Sequence, residues 1–298
     1  MAVEREFVTL TAADGGTYDG LFHHEPHATR VRERRTGRRT AQIHVHGIMG
    51  NFLVGTLRFL PPPYARVGIP MLVAETRMGN VGQLFGDAIP EEALLDLDAA
   101  VAWLLDEGYD SLVLSGYSSG ATIAVRFAAT RVLPHLRGVV LYGTPWGLPE
   151  SAQVRCARWG SDPSYDEIAH SVAEAIAADP EALHPDRLFT IAQSRGPSRL
   201  PKDSEVYTWR TWWHSRGPHA HPVMTWRQIG QISVPMLLIQ GTADEVVFPH
   251  EARRLVEVAR AAGNNDVELL SVDGGTHFFT GCETTVTQHV TRWLDRIA

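Results

Sequence analysis

The sequence predicts an α/β protein with a mostly parallel central sheet and helices on both faces. Three observations support this prediction. Apolar runs of strand length alternate with longer amphipathic stretches, two strand-like runs flank a glycine-containing turn near the start, and several strand runs end in loops that contain glycine. Scaling of surface with mass indicates that a chain of this size buries about 75% of its unfolded surface, so it needs no disulfide framework.

The first half of the chain gives the clearest alternation. A hairpin is predicted from residues 7–11 and 17–23, because Asp14, Gly15 and Gly16 between them favour a turn. A helix is predicted over residues 91–107, which begins after Pro90 with two glutamates and ends before Gly108. The other predicted elements are strands at 41–46, 70–75, 111–115 and 138–142 and a helix at 119–131.

The alternation stops after Trp146 and resumes near Gly230. The segment between them is rich in Pro, Ser, Arg and Trp, and its clearest regular element is a helix predicted over residues 165–178. Strands at 235–240 and 267–272 and helices at 249–262 and 284–297 follow. We therefore predict one α/β core, residues 1–146 and 230–298, with an insertion at residues 147–229.

Composition and charge exclude several classes of protein. No run reaches the roughly 18 apolar residues that a membrane span requires, and a net charge of -7 repels nucleic acid. Cys156 and Cys282 are too few for a disulfide-rich secreted scaffold, and the first residues lack the apolar stretch of a secretory signal. We expect a protein of the reducing cytoplasm that contacts neither membrane nor nucleic acid.

One charged run departs from this pattern. Residues 30–39 contain six arginines in ten positions, which could form a phosphate or partner patch. The run has no interleaved aromatic residues and no helical apolar stripe, so a solvated connector between two strands is the favoured interpretation.

The candidate nucleophile is Ser118, in the pattern Gly116-Tyr117-Ser118-Ser119-Gly120. This pattern lies where a predicted strand gives way to a predicted helix, and the two glycines allow a sharp turn there. Ser118 would then lie at the carboxyl edge of the sheet, where ligands bind in open α/β sheets. A simple N-capping serine is the structural alternative.

A serine hydroxyl needs a base and an orienting acid before it can act as a nucleophile. His277 follows the last predicted strand and is the candidate base among the 14 histidines. Asp244 follows the strand before it and is the candidate acid, with Glu245 as its competitor. The chain order Ser118, Asp244, His277 is typical of one large fold family.

The sequence resembles the α/β-hydrolase superfamily over nearly its whole length, apart mainly from the insertion. The segment His44-Val45-His46-Gly47-Ile48 is similar to the family's His-Gly oxyanion motif, Gly116 to Gly120 to its nucleophile elbow, and the run GTADEVVFP, which starts at Gly241, to its acid loop. This resemblance implies that the backbone N–H groups of Ile48 and Ser119 form the oxyanion hole. More narrowly, residues 75–120 are similar to fungal siderophore-ester hydrolases and their bacterial relatives, although Tyr117 stands where many members have His.

The insertion is interpreted as a cap over the catalytic edge. Six of the eight tryptophans lie between residues 146 and 226, so their rings either line a pocket for a bulky apolar substrate or form the core of the cap. The candidate substrate-binding residues are Tyr117, Trp146, Trp212 and Trp213.

The predicted function is hydrolysis of a carboxylic ester or lactone of a small molecule through an acyl-enzyme. Cleavage of an amide, thioester or C–C bond and a binding-only role are the alternatives. The mechanism requires no cofactor. A metal site at His214, His219 and His221 is disfavoured because these histidines lack the spacing of a helical metal motif.

Overall fold

An eight-stranded sheet forms the centre of the molecule. The computed structural model describes residues 2–48, 50–53, 57–79, 88–184, 190–195 and 204–298, and of residues 190–195 and 204–206 it describes only the backbone. From one edge to the other, the strands are Glu4–Thr11, Thr17–His24, Met71–Ala74, Thr40–Val45, Ser111–Tyr117, Leu136–Tyr142, Met236–Gly241 and Val267–Val272. The first two form an antiparallel hairpin, and the second pairs antiparallel with the third. The remaining neighbours are parallel. The predicted α/β fold with a mostly parallel sheet is confirmed.

The strands and helices follow the predicted alternation closely. The strands of the central sheet are β1 (Glu4–Thr11), β2 (Thr17–His24), β3 (Thr40–Val45), β4 (Met71–Ala74), β5 (Ser111–Tyr117), β6 (Leu136–Tyr142), β9 (Met236–Gly241) and β10 (Val267–Val272). The helices of the core are α1 (Pro26–Thr36), α2 (Pro61–Arg66), α3 (Ala93–Asp106), α4 (Ser119–Thr130), α9 (Pro249–Ala261) and α10 (Glu283–Ile297).

Two hydrophobic layers pack on the two faces of the sheet. Helices α3, α4 and α9 contribute to the larger cluster on one face. Helices α2 and α10 contribute to the cluster on the other face, which includes the fully buried Tyr64, Tyr142 and Trp293. The central strands β3, β5 and β9 are buried along their whole length, because helices cover both of their faces.

The arginine-rich run connects β2 to β3 and is mostly exposed, as predicted, but most of it is helical, which the sequence did not predict. Residues Pro26–Thr36 form α1, which Glu25 caps at the start and the left-handed Gly37 ends. The buried side of the helix is formed by Thr29 and Arg32 instead of an apolar stripe. The side chain of Arg32 is buried and donates to Asp295 at 2.6 Å and to the carbonyls of Leu294 and Ala298 at the end of α10.

The segment between β6 and β9 has its own small core. It contains α5 (Leu148–Trp159), α6 (Tyr165–Ala178), the hairpin β7 (Thr190–Arg195) and β8 (Ser204–Thr208), α7 (Trp209–Ser215) and α8 (Thr225–Gln228). Its hydrophobic cluster centres on Tyr165, Ile168, Val172 and Trp212. Residues 185–189 and 196–203 lie outside the described part, and the division into core and cap stays a prediction.

Aromatic stacking marks the place where this segment joins the core. The rings of Trp146 and Trp226 lie nearly parallel, with centroids 5.8 Å apart, and the guanidinium of Arg254 lies 3.8 Å above the centroid of the Trp146 ring. Both tryptophans pack against the larger core cluster. Among the described helices, none combines the length and the apolarity needed to cross a membrane.

Candidate active site

Ser118 occupies a sharp turn between β5 and α4. Its backbone has φ 54° and ψ −125°, an uncommon conformation for a residue with a Cβ atom. Flanking glycines make the turn possible: a Cβ on Gly116 would lie 2.4 Å from the Gly120 carbonyl oxygen, and one on Gly120 would lie 2.1 Å from the His46 carbonyl oxygen. Ser118 precedes the first turn of α4 but makes no side-chain capping bond, which disfavours the simple N-cap alternative.

His277 lies between Ser118 and Asp244. Its Nε2 is 3.1 Å from Ser118 Oγ, and its Nδ1 is 2.8 Å from Asp244 Oδ2. The ring is almost fully buried. The structure thus brings together all three residues that the sequence nominated for the nucleophile, the base and the acid.

The Asp244 carboxylate is held on both oxygens. Oδ1 accepts hydrogen bonds from the backbone N–H groups of Val246 and Val247 at 2.8 and 2.9 Å. Oδ2, which faces His277, also accepts from Gln240 Nε2 at 3.0 Å. The competitor Glu245 is exposed, and it is Asp244, rather than Glu245, whose carboxylate contacts the imidazole of His277.

Sequence reasoning missed Gln240. This side chain is buried at the end of β9 and donates both to Asp244 Oδ2 and to the Val247 carbonyl oxygen at 3.0 Å. Its amide group therefore holds the acid loop by hydrogen bonds at two positions, Asp244 and Val247. A glutamine inside a buried strand was the available signal, because a buried amide needs hydrogen-bond partners.

The candidate oxyanion residues Ile48 and Ser119 line one small cavity. In the described part of the chain, neither backbone N–H has a backbone acceptor. Ser119 is the first residue of α4, where the backbone N–H groups have no partner within the helix. The close approach of Gly120 to the His46 carbonyl brings the start of α4 against the loop that carries Ile48.

His46 fixes the course of that loop. Its Nε2 accepts a hydrogen bond from the Thr76 N–H at 3.2 Å, so Nδ1 carries the ring proton and donates to the Gly47 carbonyl oxygen at 2.7 Å. Burial lowers the pKa of His46 to about 4, against an opposing contribution from the Gly47 hydrogen bond. The ring is therefore neutral at physiological pH, and its two nitrogens connect the loop at Gly47 to the loop at Thr76 by hydrogen bonds.

The four candidate substrate-binding residues lie in different environments. Tyr117 is buried, with its ring centroid 5.0 Å from that of His277, and burial raises the pKa of its hydroxyl well above the ordinary value. Trp212 is 3% exposed inside the cluster of the inserted segment, which favours the cap-core interpretation for this residue. Trp213 is partly buried at the edge of that cluster, and Trp146 lies at the junction with the core.

Glu251 joins the inserted segment to the acid loop by hydrogen bonds, and no sequence pattern pointed to this residue. Its Oε1 accepts from the Phe248 N–H at 2.9 Å, at the end of the loop that carries Asp244. Its Oε2 accepts from the Trp146 N–H at 2.7 Å and from Ser151 Oγ in α5. One buried carboxylate therefore joins α9, the acid loop and the start of the segment.

No group of three or more His, Cys, Asp or Glu side chains within the described residues is arranged to hold a metal ion. His219 and His221 approach one another, with ring centroids 6.3 Å apart.

A mostly parallel sheet with helices on both faces, which presents a serine at a strand-to-helix turn, defines the α/β-hydrolase class of protein. Residues 90–281 match the model of the family described as serine aminopeptidase, S33 (Hydrolase_4), and the chain belongs to this hydrolase family. No curated protein matches the sequence significantly.

Several solved structures share the fold. The chain is similar to the esterase Pf2001 of Pyrococcus furiosus, at 18% identity over 99% of this chain and 92% of that one, with a TM-score of 0.66. It is similar to Est1E from Butyrivibrio proteoclasticus at 14% identity over 97% and 98% of the two chains, with a TM-score of 0.64. It is also similar to DcsB, solved with its substrate analogue, at 14% identity over 99% of this chain and 99% of that one, with a TM-score of 0.70. Identities this low show the shared fold alone.

Proposed function

We propose that the protein hydrolyses a carboxylic ester or lactone of a small molecule through an acyl-enzyme on Ser118. The observation that supports this proposal most directly is the unbroken hydrogen-bonded chain from Ser118 Oγ through His277 to Asp244 Oδ2. Each member of that chain has a defined chemical task in acyl transfer. No step of the proposed mechanism requires a cofactor.

In the acylation half of the reaction, Ser118 Oγ attacks the carbonyl carbon of the substrate. His277 Nε2 accepts the hydroxyl proton as the new C–O bond forms, and Asp244 stabilises the resulting imidazolium through Nδ1–H. When the tetrahedral intermediate collapses, the imidazolium gives its proton to the departing alcohol oxygen. The acyl group then remains on Ser118.

Deacylation repeats the sequence with water. His277 Nε2 takes a proton from the water as its oxygen attacks the acyl carbon, and returns that proton to Ser118 Oγ when the acid leaves. In both halves, negative charge develops on the carbonyl oxygen of the substrate. The N–H groups of Ile48 and Ser119 are the proposed donors to it, and one such donor contributes about 3 to 4 kcal/mol of transition-state stabilisation.

The family description also names an aminopeptidase, which is the second candidate activity. Such an enzyme must hold the ammonium group of a peptide, and a carboxylate is its natural partner. Among the described residues, those that line the cavity with Ile48 and Ser119 include no acidic side chain and do include the cationic Arg216. This lining disfavours an ammonium group there, and the solved esterases of the same fold add support for an ester.

We further propose that residues 147–229 act as a cap that shapes the substrate site. Leu148, Ser215 and Arg216 of this segment line the same cavity as Ile48 and Ser119. The segment therefore supplies one wall of the space beside the proposed oxyanion hole. The exposed Phe278 beside His277 and the partly buried Trp213 of the inserted segment are the proposed contacts for a bulky apolar group.

The decisive experiment measures turnover of aryl esters of graded acyl length, aryl lactones and aminoacyl anilides. Ser118→Ala should abolish ester turnover and covalent labelling by a serine-directed phosphonate. Ser119→Ala is the matched control, because alanine keeps the backbone N–H that we assign to the oxyanion hole and should retain most activity.

Two results would contradict the proposal. Full turnover by Ser118→Ala would exclude the serine mechanism. Efficient cleavage of aminoacyl anilides without cleavage of any ester or lactone would keep the mechanism but reassign the bond to an amide.

A further inference from the structure

A second cavity lies at the end of β5 opposite Ser118. Its floor includes Ile43 of β3 together with Leu112 and Leu114 of β5. Ser118 follows the carboxyl end of that strand, whereas the lining residues Leu112 and Leu114 lie among its first four residues, so the cavity lies toward the opposite end of the strand. The cavity has a volume of about 240 Å³.

Apolar side chains form the walls of this cavity. Val101 and Leu105 project from α3, Phe127 projects from the last turns of α4, and residues 132–136 cover the remaining side on the way to β6. Val101 and Leu105 are only partly buried, although they pack against the main core cluster. Val132 at the rim is 95% exposed. The cavity is therefore an apolar space that solvent can reach, rather than a closed packing defect.

Charged groups lie at the rim and are already paired. Arg131 makes a bidentate ion pair with Asp98 of α3, with N–O distances from 2.9 to 3.1 Å, and its guanidinium lies 6.0 Å from the centroid of the Phe127 ring. Of the described residues that line the cavity, only His135 is titratable, and its Nδ1 lies 3.0 Å from the Asp110 carbonyl oxygen. The lining therefore offers no partner to an ion.

An empty apolar cavity destabilises a protein in proportion to its volume, because its lining atoms lose their contacts. An apolar cavity also holds water poorly, since water needs polar partners. A cavity of roughly 150 Å³ lined by Leu, Ile and Phe in another protein stays dry and binds benzene. The present cavity is larger, so its volume fits a substituted benzene ring or a short alkyl chain.

We propose that this cavity is a binding site for a small uncharged hydrocarbon-like molecule, separate from the candidate active site. The bound molecule would contact β3, α3, β5 and α4 at once and would replace solvent with van der Waals contacts. This proposal does not depend on the proposed ester hydrolysis.

The test compares two probes that share a ring and a chain. n-Butylbenzene should bind the full chain saturably and raise its melting temperature by a few degrees, because it binds the folded state alone. 4-Phenylbutyrate carries a carboxylate for which the lining has no partner, so its affinity should be at least tenfold weaker. Affinity is measured by NMR titration, and the shift in Tm by calorimetry.

Variants locate the bound molecule. Val101→Phe fills the cavity from α3 and should weaken butylbenzene binding at least tenfold, whereas Ala102→Phe places the same ring on the exposed side of the same helix and should leave the affinity unchanged. Leu133→Trp fills the cavity from the loop and serves as the second variant if Val101→Phe does not fold.

Two results would overturn the proposal. One is the absence of saturable butylbenzene binding to the wild-type chain. The other is binding that a folded Val101→Phe or Leu133→Trp protein leaves unchanged, which would put the molecule elsewhere.

Discussion

The carboxylate of Asp244 has a different set of partners on each oxygen. Backbone N–H groups of the acid loop hold Oδ1, while Oδ2 is shared between His277 Nδ1 and Gln240 Nε2. Every hydrogen-bond partner of this carboxylate among the described residues is a donor. Asp244 is therefore suited to remain an acceptor, which in turn requires the proton of the neutral imidazole to lie on Nδ1 and leaves Nε2 free to accept from Ser118.

This arrangement predicts a large difference between two neighbouring amide substitutions. In Asp244→Asn, the side-chain oxygen keeps the Val246 and Val247 N–H groups, so the NH2 group faces His277 and forces the ring proton onto Nε2. Turnover should fall by about 10⁴, as expected when a triad aspartate becomes an amide. Glu245→Gln changes an exposed side chain and should leave kcat nearly unchanged. Steady-state kinetics on an activated ester measures both, and equal losses would contradict the assigned role of Asp244.

The sequence could nominate Ser118, Asp244 and His277 because each directly follows a predicted strand, and parallel strands bring such positions to one edge of the sheet. Gln240 and His46 could not be assigned their contacts in the same way. Their partners, Asp244 and Thr76, are defined by the side-chain direction and by loop geometry, neither of which has a periodic signal in the sequence.

At the scale of elements, α1 shows why a charge-rich run can be misjudged. Periodicity detects a helix by its apolar stripe, but the buried side of α1 is provided by Thr29 and Arg32. The signals that were present were the caps, since Glu25-Pro26 begins the helix and Gly37 ends it. The interaction that holds the helix joins it to the last residues of the chain, which no local pattern could indicate.

Two arginines of α1 that contact the same carboxylate should differ in their contribution to stability. Arg32→Met removes the donor to the Leu294 and Ala298 carbonyls in a buried site, and should lower the free energy of unfolding by about 2 to 3 kcal/mol. Arg35→Met breaks an exposed pair with Asp295 and should change it by no more than about 0.5 kcal/mol. Urea denaturation compares the two variants, and similar losses would refute the anchoring role of Arg32.

Adjacent tryptophans of α7 should likewise separate structure from substrate binding. Trp212→Ala truncates a buried ring in the core of the segment, so it should cost about 3 to 5 kcal/mol and reduce turnover of small and large esters alike. Trp213→Ala should leave the Tm nearly unchanged and lower kcat/KM selectively for bulky esters. Thermal melts beside kinetics with an acetyl and a bulky aryl ester measure both effects. A selective kinetic loss in Trp212→Ala at unchanged Tm would reverse the assignment.

For the whole molecule, three buried histidines couple stability to pH. Burial lowers the pKa of His44 to about 3 and those of His23 and His46 to about 4, with nearby Arg5 adding to the effect on His23. The unfolded chain, with an ordinary histidine pKa of about 6.5, binds more protons than the folded chain between that value and the lowered ones. The stabilisation is therefore complete above about pH 6.5 and is lost as the pH falls toward 4.

Replacing one of these histidines should flatten this dependence. Ser115 Oγ donates to the Ile43 carbonyl, so His44 Nδ1–H donates to Ser115 Oγ, and the amide of asparagine can retain that bond. His44→Asn should reduce the slope of unfolding free energy against pH by up to about 1.4 kcal/mol per pH unit between pH 6 and 4. His27→Asn, on an exposed face of α1, should leave the slope unaltered. Denaturant melts at several pH values provide the measurement, and an unchanged slope in His44→Asn would exclude the coupling through this residue.

The fold class followed from the sequence because the alternation of elements limits an α/β chain to few topologies. Most of the predicted strands and helices lie within three residues of the observed bounds, as the helix Tyr165–Ala178 illustrates, whereas the helices α1, α2 and α5 were not predicted. What could not be predicted is how the inserted segment attaches, since Glu251 is 105 residues from Trp146 and 100 residues from Ser151 and meets them only in the folded chain. The second cavity arises in the same way, from side chains of five separate elements and of the loop before β6.

The stacked pair of Trp146 and Trp226 should give the protein a circular dichroism signal that depends on the position of the inserted segment. Two indole rings held nearly parallel at 5.8 Å couple their electronic transitions, so the pair should produce a split circular dichroism band that isolated tryptophans lack. Because Trp146 directly precedes the inserted segment and Trp226 lies near its end, the band reports whether the two ends of the segment stay together on the core. Movement of the segment can thus be followed spectroscopically in the unlabelled protein.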